Sequence, residues 1–83
     1  MAVNDAQKLA NALNALAKNP QFSYKTARAT ARKDERVDAV ATKAQNEDFN
    51  PEVDGCESFV MKDGSVCEWL AARSAYAAHG PGR

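Results

Sequence analysis

The fold class depends on residues 58–69, which read SFVMKDGSVCEW. The pair Asp63–Gly64 lies between two apolar runs, and an Asp-Gly pair in that setting is a strong β-hairpin signal. The same stretch holds a capping box, Ser65–Glu68, and an alanine-rich segment follows, which favours a helix over residues 66–79. That helix would leave the preceding apolar run without a strand partner. It would also make the loop that precedes the helix unusually long. We therefore predict a hairpin near residues 57–70 and keep the helix as the alternative.

A first helix is predicted over residues 5–18. Asn4 is a good N-cap residue, and Gln7 follows it in the register of a capping box. Three leucines recur at helical spacing, namely Leu9, Leu13 and Leu16. The pair Asn19–Pro20 ends the helix, because a residue before proline disfavours helical backbone. The leucine side of this helix is expected to face the core.

A second helix is predicted over residues 24–46, because a period of 3.6 separates polar from apolar residues there better than strand alternation does. One sector would carry the cations Lys25, Arg28, Arg32, Arg36 and Lys43. The opposite side would carry Val37, Val40 and several alanines. Asp34 falls on that apolar side, so it marks either a kink or the N-cap of a separate helix starting near Glu35.

These elements predict an α+β fold with two N-terminal helices followed by a C-terminal β-hairpin. The alternative is an all-α fold of three helices, the last over residues 66–79. The length fits one small domain over residues 1–83. Within it, Asn, Asp, Pro and Gly indicate an acidic loop at residues 47–56, and Gly-Pro-Gly predicts a flexible tail at residues 80–83.

The composition predicts a thin core and a need for a partner. Hydrophobic residues make up 45% of the chain, but 17 of them are alanine and none is isoleucine. Burying a large apolar side chain contributes roughly 1.5–3 kcal/mol, so we expect self-association or another protein to add stability. The net charge is zero, which argues against a protein that coats nucleic acid. The charges are nevertheless segregated, with no acid in residues 18–33 and no cation in residues 47–57.

The sequence has no pattern that predicts catalysis or a cofactor. Thiol chemistry would need His79 beside Cys56 or Cys67, and no spacing predicts that meeting. These three residues also lack the paired spacing of a zinc site. A calcium-loop-like start at Asn50 has Met61 at its twelfth position, where a glutamate is required. Phosphate-binding, dinucleotide-binding and hydrolase motifs are missing as well. We therefore predict no enzyme activity, no metal and no cofactor.

Both cysteines are expected to be free thiols of a cytoplasmic protein. A two-residue turn at Asp63–Gly64 would put Cys67 opposite Val60, which is too far from Cys56 for a bridge, because disulfide-linked Cα atoms lie within about 7 Å. The N-terminal MAVNDAQK lacks the basic start and apolar core of a secretory signal. No apolar run approaches the roughly 20 residues that a membrane span needs, so no membrane contact is expected.

Two groups of residues are candidates for binding a partner. The first is the cationic helix face of Lys25, Arg28, Arg32 and Arg36. Arginines four residues apart repel each other, a cost that a helix selected only for stability would avoid. The second group is Trp69, Arg73 and Tyr76, which would share one face of the alternative helix and resemble a binding hot spot in composition. The structural alternatives are a solvated helix face and a small core, respectively.

We expect a small non-enzymatic protein-binding module, an adaptor or an inhibitor that occupies a partner's surface. Its size and neutral charge also fit an effector of phage or mobile-element type. The partner would be a protein with an anionic surface, or a second copy of the chain. The alternative function is a nucleic-acid-binding accessory protein that places the basic helix face on phosphates. Arg28 and Arg32 are expected to point into solvent, so exchanging both for glutamate would leave the fold intact unless the acidic loop pairs with them.

Overall fold

A computed structural model describes residues 3–80, and the order of its elements confirms the α+β prediction. The elements are α1 (Asp5–Ala17), α2 (Tyr24–Lys33), β1 (Ser58–Val60), β2 (Val66–Leu70) and β3 (Ala75–His79). The all-α alternative is not supported, because the segment 66–79 forms two strands and a turn instead of a helix. Of the predicted tail at residues 80–83, all but Gly80 lies outside the described residues.

Helix α1 forms where its caps and its leucine stripe predict it. The side chain of Asn4 accepts the backbone N–H of Gln7 at 2.8 Å, which satisfies a donor that the first turn leaves free. The helix buries one face of small and aliphatic side chains, comprising Ala6, Leu9, Ala10 and Leu13. Its last helical residue is Ala17, with Lys18 as the C-cap.

Helix α2 is much shorter than predicted, and the expectation of a helix to residue 46 was wrong. It starts after the N-cap Ser23 and ends at Lys33. Asp34 has extended backbone, and its carboxylate accepts the backbone N–H of Arg36 at 2.9 Å and the Arg36 guanidinium at 2.7 Å. That closed turn replaces the next turn of helix. Val37 then forms a β-bridge to Met61, so its apolar side chain reaches the core through the hairpin rather than through a helix.

The predicted hairpin is present, and a third strand extends it into an antiparallel sheet of order β1-β2-β3. Its register differs from the prediction by one residue, since Cys67 pairs with Phe59 and not with Val60. The connection is longer than the expected two residues. Gly64 donates its N–H to the carbonyl of Met61 at 3.0 Å and has a φ of +89°. A glycine with positive φ after a tight turn is the usual ending of a three-residue hairpin loop.

The core lies between α1, α2 and one face of the sheet. Helix α1 packs on β3 and β2, and α2 packs on α1. Aromatic rings join the layers in a chain of edge-to-face contacts, with centroids 5.2–5.3 Å apart, through Phe22, Tyr24, Trp69 and Tyr76. This arrangement lets a few rings fill the space that the alanine-rich helices leave.

Polar side chains of α1 and of the hairpin loop connect the helix to the sheet. The Asn14 amide donates to the carbonyl of Tyr76 at 3.0 Å and accepts the N–H of Tyr76 at 2.9 Å, so it pairs with β3 as a neighbouring strand would. Ser65, which is fully buried, accepts the N–H of Ala6 at 3.1 Å. These bonds satisfy backbone groups at the strand edge and at the first turn of α1.

Candidate functional site

The prediction that Arg28 lies on the solvent-exposed face of α2 was wrong, because its side chain is buried. Its side chain is 4% exposed and forms a two-pronged pair with the carboxylate of Glu57, at 2.5 and 3.1 Å. The neighbours Ala27 and Ala31 are short, which leaves room for the guanidinium to reach the strand side of the helix. The alternative in which the arginines pair within the fold therefore holds for Arg28.

The Arg28 guanidinium also fastens the chain that leads into the sheet. It donates to the carbonyls of Asn46 at 3.2 Å, Glu47 at 3.4 Å and Phe49 at 2.9 Å, and it lies 5.6 Å from the centre of the Phe49 ring. Together with the bonds to Glu57, these contacts occupy the five N–H groups of an arginine. The residue thus holds the acidic loop against α2, and its charge is balanced by groups inside the fold.

The other predicted cations do not form one stripe. Lys25 pairs with Glu47 at 2.9 Å on the surface, an interaction that raises the pKa of the ammonium and lowers that of the carboxyl group. Arg36 lies beyond the helix and pairs with Asp34. Arg32 donates to the carbonyl of Gln45 at 3.1 Å and has no carboxylate within ion-pair distance in the described part of the chain. Of this group, only Arg32 forms no ion pair with a carboxylate of the described residues, although it is near enough to Glu47 to help lower the pKa of that carboxyl group.

Trp69, Arg73 and Tyr76 do not share a helix face, because the alternative helix that would have grouped them does not form and its residues make up two strands and a turn instead. Trp69 and Tyr76 face each other on β2 and β3, and both are buried in the core. Arg73 lies in the exposed turn between these strands. The indole N–H and the Tyr76 hydroxyl are buried without a hydrogen-bond partner among residues 3–80. Burial raises the pKa of the Tyr76 hydroxyl, with a smaller contribution from Glu57.

A cavity of about 230 Å³ opens between the C-terminal half of α2, residues 37–44 and β1. Apolar walls come from Val37, Phe59 and two alanines, and the buried Arg28–Glu57 pair closes one side. Arg32 and Lys43 also line it, and both are exposed. Because Glu57 is already matched by Arg28, these two cations leave the cavity with a positive excess. The site joins apolar walls to two cations that form no ion pair with the residues described by the structure.

Sequence reasoning did not single out Lys43 as a site residue or foresee this cavity. Lys43 was placed on the same helix face as Arg32, whereas it lies in an irregular segment that turns back toward α2. A second cavity of about 180 Å³ is also lined by Arg28 and Arg32, together with Lys25, Gln45 and Glu47. The signal that was present in the sequence is the excess of cations before residue 47.

Cys56, Glu68 and His79 meet on the surface, a cluster that no spacing predicted. Glu68 contacts the imidazole Nε2 of His79, and its other oxygen accepts the Cys56 thiol at 3.4 Å. Burial and then Glu68 raise the pKa of Cys56, which keeps the thiol protonated. An activated cysteine needs the imidazole next to the sulfur, whereas here the carboxylate lies between them. Cys67 is buried, which raises its pKa to about 12, and both cysteines are free as predicted.

Comparisons with protein-family models, with curated proteins and with solved structures found no match to this chain. Among residues 3–80, no group of three or more His, Cys, Asp or Glu side chains has a geometry that could hold a metal ion. Neither of the two described helices is long and apolar enough to cross a membrane.

Proposed function

We propose that the chain is a small, non-enzymatic, cytoplasmic protein-binding module, acting as an adaptor or an inhibitor. The observation that supports this proposal is the cavity beside α2, where apolar walls meet Arg32 and Lys43, two cations without an ion-pair partner among the described residues. Such a site suits an aliphatic side chain that has the carboxylate of a neighbouring residue close beside it. A protein segment with an acidic surface supplies both groups at once.

The size of the cavity and its surroundings favour a polypeptide over a small metabolite. Pockets for drug-sized ligands span roughly 300–1,000 Å³, and this cavity is smaller, at about 230 Å³. Val40 follows Ala39 at the cavity wall and is 98% exposed, so an apolar surface continues outside the opening. An occupant that fills the cavity with one side chain and covers Val40 with its neighbours would use both features.

The nucleic-acid alternative depended on four cations along one face of α2. Lys25, Arg28 and Arg36 each pair with a carboxylate of this chain, so binding phosphates through that face would require breaking three ion pairs. We therefore develop the protein-binding proposal. Four phosphate contacts on duplex DNA would give a log–log salt slope of about −3.6, which a titration at several salt concentrations can measure.

The test is affinity capture from the native cell lysate with three versions of the chain. We expect the unchanged chain to retain a stoichiometric protein, and the variant Arg32→Glu/Lys43→Glu to lose it because both cavity charges are reversed. The matched control, Lys18→Glu/Lys62→Glu, makes the same charge change at two exposed positions outside the cavity and should retain the protein. Capture of no stoichiometric protein, or equal capture by all three versions, would contradict the proposal.

A further inference from the structure

The acidic loop carries a side-chain group that matches the cavity. Val53 is 77% exposed, and Glu52 and Asp54 flank it in the chain. Glu52 uses one carboxylate oxygen to accept the hydroxyl of Tyr24, and Asp54 uses one to accept the N–H of Asn50. The second oxygen of each carboxylate has no hydrogen bond to the described residues. We call Glu52, Val53 and Asp54 the acidic knob.

Hydrogen bonds hold the acidic knob in one conformation. The carbonyl of Asn50 accepts the N–H groups of Val53 at 3.0 Å and of Asp54 at 2.7 Å. The side chain of Asn50 accepts the N–H of Glu52 at 2.9 Å, and Pro51 is buried beneath the turn. A preformed turn loses little conformational entropy on binding, so an exposed apolar side chain at its tip is well suited to insertion.

The knob and the cavity match in size and in charge. An engineered cavity of about 150 Å³ takes a benzene molecule, so the cavity beside α2, at about 230 Å³, has room for an isopropyl group and part of a carboxylate. The carboxylates of Glu52 and Asp54 complement Arg32 and Lys43, which are the cations without an acidic partner at the cavity. The knob therefore has the chemistry that the proposed function requires of a partner.

Within one molecule the two features belong to opposite ends of α2. The knob is tied to Tyr24 at the start of the helix, whereas Arg32 lies eight residues further on, which is about 12 Å along a helix. In a closed two-fold pair of copies, the knob of each copy would lie at the cavity of the other, so that both contacts form together. The zero net charge of the chain adds no overall repulsion between copies.

We propose that the occupant of the cavity is the acidic knob of a second copy, in a closed two-fold dimer. This inference rests on one part of the proposed function, the cavity as a protein-binding site, and names its occupant. Two small reciprocal contacts make a weak dimer, with a dissociation constant between about 1 μM and about 1 mM. The thin core of the chain gains burial of Val53 and of the cavity walls in this arrangement.

The test is sedimentation velocity over that range of chain concentrations, with charge-swapped variants. Glu52→Lys and Lys43→Glu should each weaken the dimer by about tenfold or more, because each variant opposes like charges at both contacts. An equimolar mixture of the two should recover dimerisation, because the mixed dimer pairs Lys with Glu in one contact and the original residues in the other. Recovery on mixing is not expected of variants that only damage the fold.

Two further variants control for changes that are not specific to the contact. Val53→Asp removes the apolar tip and should abolish the dimer, whereas Val3→Asp makes the same exchange at another exposed valine and should leave it unchanged. A monomer at all concentrations, growth beyond the dimer, or no recovery on mixing would overturn the inference. A monomeric chain that still captures another protein through Arg32 and Lys43 would leave the proposed function standing. A dimer that captures no other protein would leave this inference standing and overturn the role as an adaptor or inhibitor.

Discussion

At the scale of single residues, Arg28 connects three parts of the chain that are distant in sequence. It lies on α2, pairs with Glu57 before β1, and donates to carbonyls of the acidic loop. A buried ion pair adds little net stability over an apolar replacement of both partners, but removing one partner strands the other charge in the interior, at a cost of about 3–5 kcal/mol. That cost is a large fraction of the stability of a small domain.

We expect Arg28→Met to destabilise the protein by about 3 kcal/mol or more, because Glu57 and three backbone carbonyls lose their donor. Urea unfolding followed by the fluorescence of Trp69 measures this change. Arg32→Met is the matched control on the same helix and should change the free energy of unfolding by less than about 0.5 kcal/mol, because Arg32 is exposed.

The double variant Arg28→Met/Glu57→Met separates the lost charge pair from the lost loop contacts. Removing both charges should recover part of the loss but not all of it, because the loop carbonyls still lack a donor. Equal unfolding free energies for Arg28→Met and Arg32→Met would contradict the structural role of the guanidinium.

At the scale of elements, the β1–β2 hairpin depends on the conformation of one loop residue. Gly64 has a φ of +89°, which a residue with a Cβ adopts only with strain. Its N–H closes the loop on Met61, and this geometry places Phe59 opposite Cys67. Since both of these side chains are buried, a slip by one residue would turn the apolar side chains of β2 out of the core.

We expect Gly64→Ala to lower the free energy of unfolding by about 1–2 kcal/mol, because alanine is strained at this φ. Thermal or urea melts measure the loss. Gly80→Ala is the comparison, since a Cβ there meets no atom within 4 Å and its φ is not positive, and it should be nearly neutral. If Gly64→Ala left the free energy of unfolding unchanged, the loop would have to close in another conformation.

At the scale of the whole molecule, carboxylates close turns and also join segments that are distant in sequence. Asp34 pairs with Arg36 at the end of α2, Asp63 accepts hydrogen bonds from Ser65 and from the N–H of Asp5, and Glu47 pairs with Lys25. In each case the partner lowers the pKa of the carboxyl group. For Asp34 the largest cause is the hydrogen bond from the Arg36 side chain.

These lowered pKa values predict a loss of stability in acid. As the pH falls, a carboxyl group whose pKa is lowered in the folded state is protonated in the unfolded chain before it is protonated in the folded one. Its contribution to the free energy of unfolding is therefore complete above the ordinary pKa of about 4. The contribution is lost as the pH falls through the lower pKa of the folded state. We therefore expect the free energy of unfolding to decline below about pH 4.

Asp34→Asn tests one of these groups. At neutral pH the variant should be less stable by some tenths to about 1 kcal/mol, since the Arg36 side chain is 38% exposed and solvent weakens the pair. Its decline in stability between neutral pH and about pH 2 should be smaller than that of the unchanged chain. Urea melts at both pH values measure the difference, and equal declines would show that Asp34 does not contribute.

The sequence by itself determined the features that depend on neighbours along the chain. Asn4 and the leucine spacing defined α1, the helical period from residue 24 onward indicated the start of α2, and Asp63–Gly64 defined a hairpin. The free cysteines followed from that hairpin. In each case the signal is a local cap, period or turn, whose physics needs no distant contact.

Tertiary structure decided the end of α2, the burial of Arg28 and the site beside them. Helical periodicity placed Val37 on the apolar side of a longer helix, but a bridge to Met61 buries it from a turn instead. Arg28 appeared solvated because the sequence does not reveal that Glu57, 29 residues away, enters the core beside it. A cavity that joins Arg32 to Lys43 exists only after α2 stops and the chain folds back. Distant pairings of this kind depend on how the whole chain encloses its core, and no local pattern encodes them.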